Sequence, residues 1–171
     1  MKKSRLLVVV ALLISCSLSI PASAATINLF ASIDGNQEVP PTGSLGTGTG
    51  IMTYDDITNL LSWNITYSGL SGTPTVSHFH GPANPGVNAG VQVDIAANSG
   101  GIASPMIGSA TISDPQEADL LAELWYINIH STLFPGGEIR GQVQVVPIPA
   151  AVWLFSSGLL GLVGMARRKK A

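Results

Sequence analysis

Apolar and polar residues alternate with a period of two through most of the middle of the chain. Ile27, Leu29 and Ala31 share one face of the run from Thr26 to Ser32, and Leu61, Trp63, Ile65 and Tyr67 alternate with Ser62, Asn64 and Thr66. Successive side chains of a strand point to opposite faces, so each run predicts a strand with one buried side. Ile51 to Tyr54, Thr75 to His80, Val91 to Ile95, Trp125 to His130 and Glu138 to Val145 read as further strands. Gly43 to Gly50 offers little to a core and is expected to be a loop, Asp55-Asp56 a hairpin turn, and Ser68 to Pro74 a turn. One segment departs from the period of two. Asp114 can cap a helix, Pro115 suits its first position, Glu117 completes a capping pair, and Leu120, Leu121 and Leu124 form an apolar stripe, which predicts a short helix from about Pro115 to Leu124. The expected architecture is mainly β, a sandwich of short strands with one short helix. Its core should include Leu29, Trp63, Ile65, Val93, Ile127 and Ile139.

The two ends break this pattern. Lys2, Lys3 and Arg5 precede an apolar run from Leu6 to Ile14, and Ala22-Ser23-Ala24 supplies small residues for signal peptidase. Residues 1–24 therefore read as a signal peptide, with a mature start at Ala25. A rival reading takes Leu13-Ile14-Ser15-Cys16 as a loose lipobox, with Cys16 lipidated instead of removed. Cys16 is the only cysteine, so on the first reading the mature protein has no thiol or disulfide chemistry. At the other end, residues 150–166 are uncharged and Arg167-Arg168-Lys169-Lys170 follows at once. A helix of that length nearly crosses a ~30 Å hydrocarbon core, and the basic cluster would stay on the cytoplasmic side. The expected organisation is a signal peptide at 1–24, a β-domain at 25–145 and a C-terminal segment at 146–171 anchored in the membrane.

Charge then separates the middle from the ends. The whole chain is formally −2, yet all ten carboxylates lie in the middle and only Arg140 among the eight basic residues does. The domain left after both ends are set aside carries −9. That excludes nucleic acid and anionic membrane surfaces as partners and favours cations or basic groups. No phosphate loop follows from Gly46 to Gly50, and no serine sits in a nucleophile-elbow pattern.

All three histidines fall in two short motifs, Ser77-His78-Phe79-His80-Gly81-Pro82 and Tyr126-Ile127-Asn128-Ile129-His130. On a strand His78 and His80 share a face, as do Asn128 and His130. Were these strands neighbours, three imidazoles could converge, and imidazole suits copper, zinc and nickel. The plainer reading has the imidazoles hydrogen-bonded to carbonyls or to Asn128 inside the sheet, since no further Cys or His completes a four-ligand zinc set. A weak echo relates the motifs: Pro85-Gly86 and Pro135-Gly136 each follow a histidine by five residues. Arg140, the one cation of the domain, is expected to pair with Asp or Glu.

Two resemblances follow from the motifs. Val146-Pro147-Ile148-Pro149-Ala150-Ala151-Val152-Trp153-Leu154-Phe155, the glycines at 158 and 161, and the basic end resemble a PEP-CTERM sorting signal. The chain reads Val-Pro-Ile-Pro where the name motif has Pro-Glu-Pro. The resemblance implies a Gram-negative bacterial exported protein processed by an exosortase-type protease. Gln37-Glu38-Val39-Pro40-Pro41, Leu61 to Leu70, His78 to Ala83, Trp125 to His130 and Pro135 to Gln142 resemble the CHRD domain, named from the extracellular protein chordin. That family bears a limited likeness to copper/zinc superoxide dismutase, which implies an immunoglobulin-like or superoxide-dismutase-like sandwich. By that likeness His78, His80 and His130 would match copper ligands and Arg140 the arginine beside the metal. The bridging histidine, the zinc set and the disulfide are absent, so dismutase-type activity is not expected.

The function these features imply is a non-enzymatic binding or structural module at the cell surface or in the exopolysaccharide matrix. Its expected partners are signal peptidase, the exosortase-type protease, the membrane through its C-terminal helix, and an extracellular polysaccharide or protein. No cofactor is required by that reading. The alternative is a mononuclear copper or zinc site on His78, His80 and His130.

Overall fold

The computed structural model describes residues 26–147. The expected signal peptide and the C-terminal sorting and membrane-spanning segment lie outside the described residues, save Val146 and Pro147. The chain is mainly β. Among the described residues nine strands run β1 (Thr26–Asp34), β2 (Thr47–Asp55), β3 (Leu60–Ser68), β4 (Pro74–His80), β5 (Val91–Asp94), β6 (Met106–Thr111), β7 (Tyr126–Ser131), β8 (Ile139–Gln142) and β9 (Gln144–Val145). Two α-helices interrupt them among the described residues, a single turn α1 (Ile95–Asn98) and the longer α2 (Asp114–Leu121), and a 3-10 turn, Gly35–Gln37, follows β1. All pairs are antiparallel, in the order β5-β4-β7-β8-β1-β2-β3-β6, with β9 added to β1.

This single sheet curls until its inner faces meet, giving a nearly closed, sandwich-like body. Trp63 of β3 meets Phe79 of β4 edge-to-face, with ring centroids 5.3 Å apart. The gap between the edge strands β5 and β6 is bridged by α1, whose Asn98 carbonyl lies against Gly108. Ser99, just after α1, accepts a hydrogen bond from the Trp63 indole at 2.9 Å. The core contains every residue expected from alternation: Leu29, Trp63, Ile65, Val93, Ile127 and Ile139. Tyr54, Phe79 and Trp125 complete its aromatic part.

Two expectations need correction, and one strand is added to the expected set. The Gly/Thr stretch before Ile51 is strand from Thr47 onward. Gly50 faces inward, where a β-carbon would sit 2.7 Å from Ile127 Cδ1, so the glycine marks a close approach of β2 and β7 rather than a loop. β6 has too weak an alternation to stand out in the sequence, and its pairing with β3 defines it. Finally, α2 is capped by Ser113, not Asp114: the Ser113 N–H donates to Gln116 Oε1 at 3.0 Å, the capping pair expected of Glu117.

Candidate metal centre

β4 and β7 lie side by side, with His78 opposite Asn128 and His80 opposite Tyr126. Alternation sends Phe79, Ile127 and Ile129 into the core, leaving His78, His80, Tyr126, Asn128 and His130 on the outer face. That face is not open to water. Every residue of β7 is buried, because the loops around Val87–Ala89 and Pro135–Gly137 lie across it. His80 is 9 % exposed and His130 8 %, whereas the His78 side chain keeps 17 %.

The three imidazoles converge. Ring centroids are 5.5 Å apart for His78 and His80, 5.3 Å for His78 and His130, and 6.0 Å for His80 and His130. One nitrogen from each lies within 4.8 Å of the others. The hydrogen bonds on the far sides of the rings decide which nitrogens these can be. His80 Nδ1 is 2.9 Å from the Ala89 carbonyl, and His130 Nδ1 is 2.9 Å from the Pro135 carbonyl. A carbonyl only accepts, so both Nδ1 atoms carry the proton and both Nε2 atoms hold a bare lone pair. His78 is turned the other way. Its Nε2 lies 4.0 Å from Asp94 Oδ2, across the β4–β5 pair, leaving Nδ1 as the open nitrogen.

His78 Nδ1, His80 Nε2 and His130 Nε2 are all buried without a hydrogen-bond partner. Buried polar atoms are as a rule satisfied, so three converging rings that each hold an unpartnered nitrogen are unusual for a purely structural cluster. The plainer reading of carbonyl-bonded imidazoles holds for His80 and His130 through one nitrogen each. Outer-side bonds of this kind orient metal-ligating histidines in known sites. His78 and His80 are also pushed toward the neutral form a ligand needs. Burial pushes the His78 imidazole below its ordinary range, aided by His130 and opposed by Asp94. Burial does the same to His80, opposed by the Ala89 bond and aided by His78, His130 and Arg140. Three nitrogens that share one ion at ~2.1 Å each lie at most ~3.6 Å from one another, so closure by up to about an ångström completes the geometry.

The hairpin echo does not extend to register. His80 pairs with Val91, whereas Gly141, which follows Val91 by the same fifty positions that separate His130 from His80, pairs with Ile127 and not with His130. What the hairpins share is the imidazole bonded to a loop carbonyl.

Arg140 is 1 % exposed and has neutral acceptors where a carboxylate is expected. It donates to the Val87 carbonyl at 2.8 Å and to Asn88 Oδ1 at 3.1 Å, and its guanidinium carbon lies 3.4 Å from the centre of the Tyr126 ring. Glu38 is the carboxyl that feels its charge. Burial raises that carboxyl to about 7, against the pull of Arg140 and of the Val39 N–H. Its Oε1 is a further buried orphan, packed with the Asn128 amide around Gly137, where φ is +132° and no side chain would fit.

Sequence reasoning missed Tyr126, Asp94 and Glu38. Tyr126 carried a usable signal, being two residues from Asn128 on the same strand face. Glu38 lay in the Gln37–Pro41 motif of the family resemblance, but nothing there tied it to the histidines, and Asp94 had no signal, since strand order places it. Residues 29–143 match the profile of the CHRD domain family. No curated protein and no solved structure compared with the chain matches it.

Proposed function

The chain belongs to the CHRD domain family, and from that footing we propose that it is an exported, non-enzymatic module that binds one copper or zinc ion through His78 Nδ1, His80 Nε2 and His130 Nε2. The observation that carries the proposal is the convergence of three imidazoles that each hold a buried, unpartnered nitrogen. Copper is favoured among divalent ions by imidazole ligands and the general order of affinities. The −9 charge of the middle segment would concentrate cations around the entrance beside His78. In the same proposal residues 1–24 direct export and residues 146–171 provide sorting by an exosortase-type protease and a membrane anchor. The domain then works at the surface of a Gram-negative cell or in its polysaccharide matrix.

Purified untagged protein titrated with Cu²⁺ and Zn²⁺ against a competing chelator tests the site. One equivalent should bind, and the His78→Ala, His80→Ala double variant should lose at least 100-fold in affinity. Equal, weak binding by both proteins sinks the metal reading and leaves a surface or matrix module that recognises an extracellular polysaccharide or protein.

A further inference from the structure

The three ligand candidates are not held alike. His130 relies on a loop carbonyl, and His78 on a half-exposed carboxylate across the strand pair. His80 sits at the end of a stacked column. The Tyr126 ring lies parallel to its imidazole, with centroids 5.1 Å apart and an interplanar angle of 9°. Arg140 covers the Tyr126 ring with its guanidinium. Planar cations stack well on aromatic faces, so the column is attractive at both junctions.

The same two side chains also fasten the loop that carries the His80 acceptor. The Ala89 N–H donates to the Tyr126 hydroxyl at 3.0 Å, and that hydroxyl lies 3.4 Å from the Ala89 carbonyl. This is the carbonyl that receives His80 Nδ1. Arg140 bonds the two preceding residues, Val87 and Asn88, and the Asn88 amide in turn donates to the Val39 carbonyl at 3.1 Å. Ring plane, tautomer and acceptor position of His80 thus all depend on Tyr126 and Arg140.

We infer that Tyr126, clamped by Arg140, is the positioning residue that makes His80 a metal ligand. The inference rests on the metal reading above. Neither side chain reaches the three facing nitrogens through any hydrogen bond, so both act through His80 and the Val87–Ala89 loop. Losing such outer support typically weakens a metal site by about 10- to 100-fold.

The test is a double-mutant cycle read by Cu²⁺ affinity and by the electron paramagnetic resonance spectrum of the copper-loaded full chain. Tyr126→Phe keeps the stack and removes the hydroxyl. Arg140→Lys keeps the charge and removes the flat, two-pronged contact. Each should weaken copper binding by about 10-fold. Each should also move the nitrogen splitting from a three-nitrogen pattern toward that of His80→Ala. In a His80→Ala background neither should weaken binding further, because non-additivity marks a shared route. If Tyr126→Phe cannot be loaded for want of stability, the Arg140→Lys arm decides alone. Unchanged affinity, or losses that add to that of His80→Ala, overturn the inference while the metal reading stands. A wild-type protein that binds no copper overturns both.

Discussion

Two buried polar clusters flank the β7–β8 hairpin, and they are built on opposite terms. Around Glu138, just before β8, every oxygen is spoken for. Oε1 accepts from the Ser44 hydroxyl at 2.7 Å and from the Ser71 N–H, Oε2 accepts from the Gly72 N–H at 3.2 Å, and the Glu138 carbonyl receives Thr42 Oγ1 at 2.8 Å. Burial alone would raise that carboxyl. The donors from Ser131, Ser71, Ser44 and Gly72 overcome it and bring it down to about 2. Around His130, at the end of β7, three ring nitrogens and the nearby Glu38 and Asn128 oxygens have no partner. Glu38 shows the consequence, its carboxyl driven up to about 7 where Glu138 is driven down. A filled cluster holds loops together, whereas an unfilled one keeps binding capacity in reserve at some cost in stability.

Removing Glu138 gives the largest stability effect that would break this contrast. Glu138→Gln should lose about 3 kcal/mol at neutral pH, measured by denaturant unfolding, with copper affinity of the folded protein within twofold of wild type. Because the folded carboxyl titrates below its unfolded value, the stabilisation is complete above pH ~4.5 and is lost as pH falls toward 2. Acid unfolding of the variant should lack that component; an identical acid profile would mean that the donors around Glu138 do not hold its charge.

Glu38 should behave in the reverse sense. Its folded carboxyl keeps a proton that the unfolded chain releases above pH ~4.5, so stability declines as pH rises from there through about 7. Glu38→Gln should flatten this slope and gain about 2 kcal/mol at pH 8, seen as a higher melting temperature. A variant that is less stable than wild type at pH 8 would show that Glu38 is satisfied after all. The smallest effect sharpens the first cluster. Ser44→Ala removes one donor of several and should cost about 1 kcal/mol, with no change in copper titration.

Local pattern carried much of this protein. Alternation marked β1, β3, β4 and β7 and every named core position, because the side of a strand on which a residue falls depends only on its neighbours in sequence. It also placed His78 and His80 on one face, and the leucine stripe marked the helix near Asp114–Leu121. Tertiary structure decided the rest. Gly48 and Gly50 lie in a strand because β1 and β3 pair with it on both sides, Gly48 packing under the Thr66 carbonyl and Gly50 under Ile127, and Met106–Thr111 is a strand because β3 offers it an edge. His130 joins His78 and His80 only because β7 inserts between β4 and β8, bringing together residues some fifty positions apart. The choice of open nitrogen on each ring lay with Ala89, Pro135 and Asp94, which reach the imidazoles by loop and strand placement. Such acceptors have no sequence signature, since a backbone carbonyl is the same at every residue and only its position in space makes it the partner of a particular histidine.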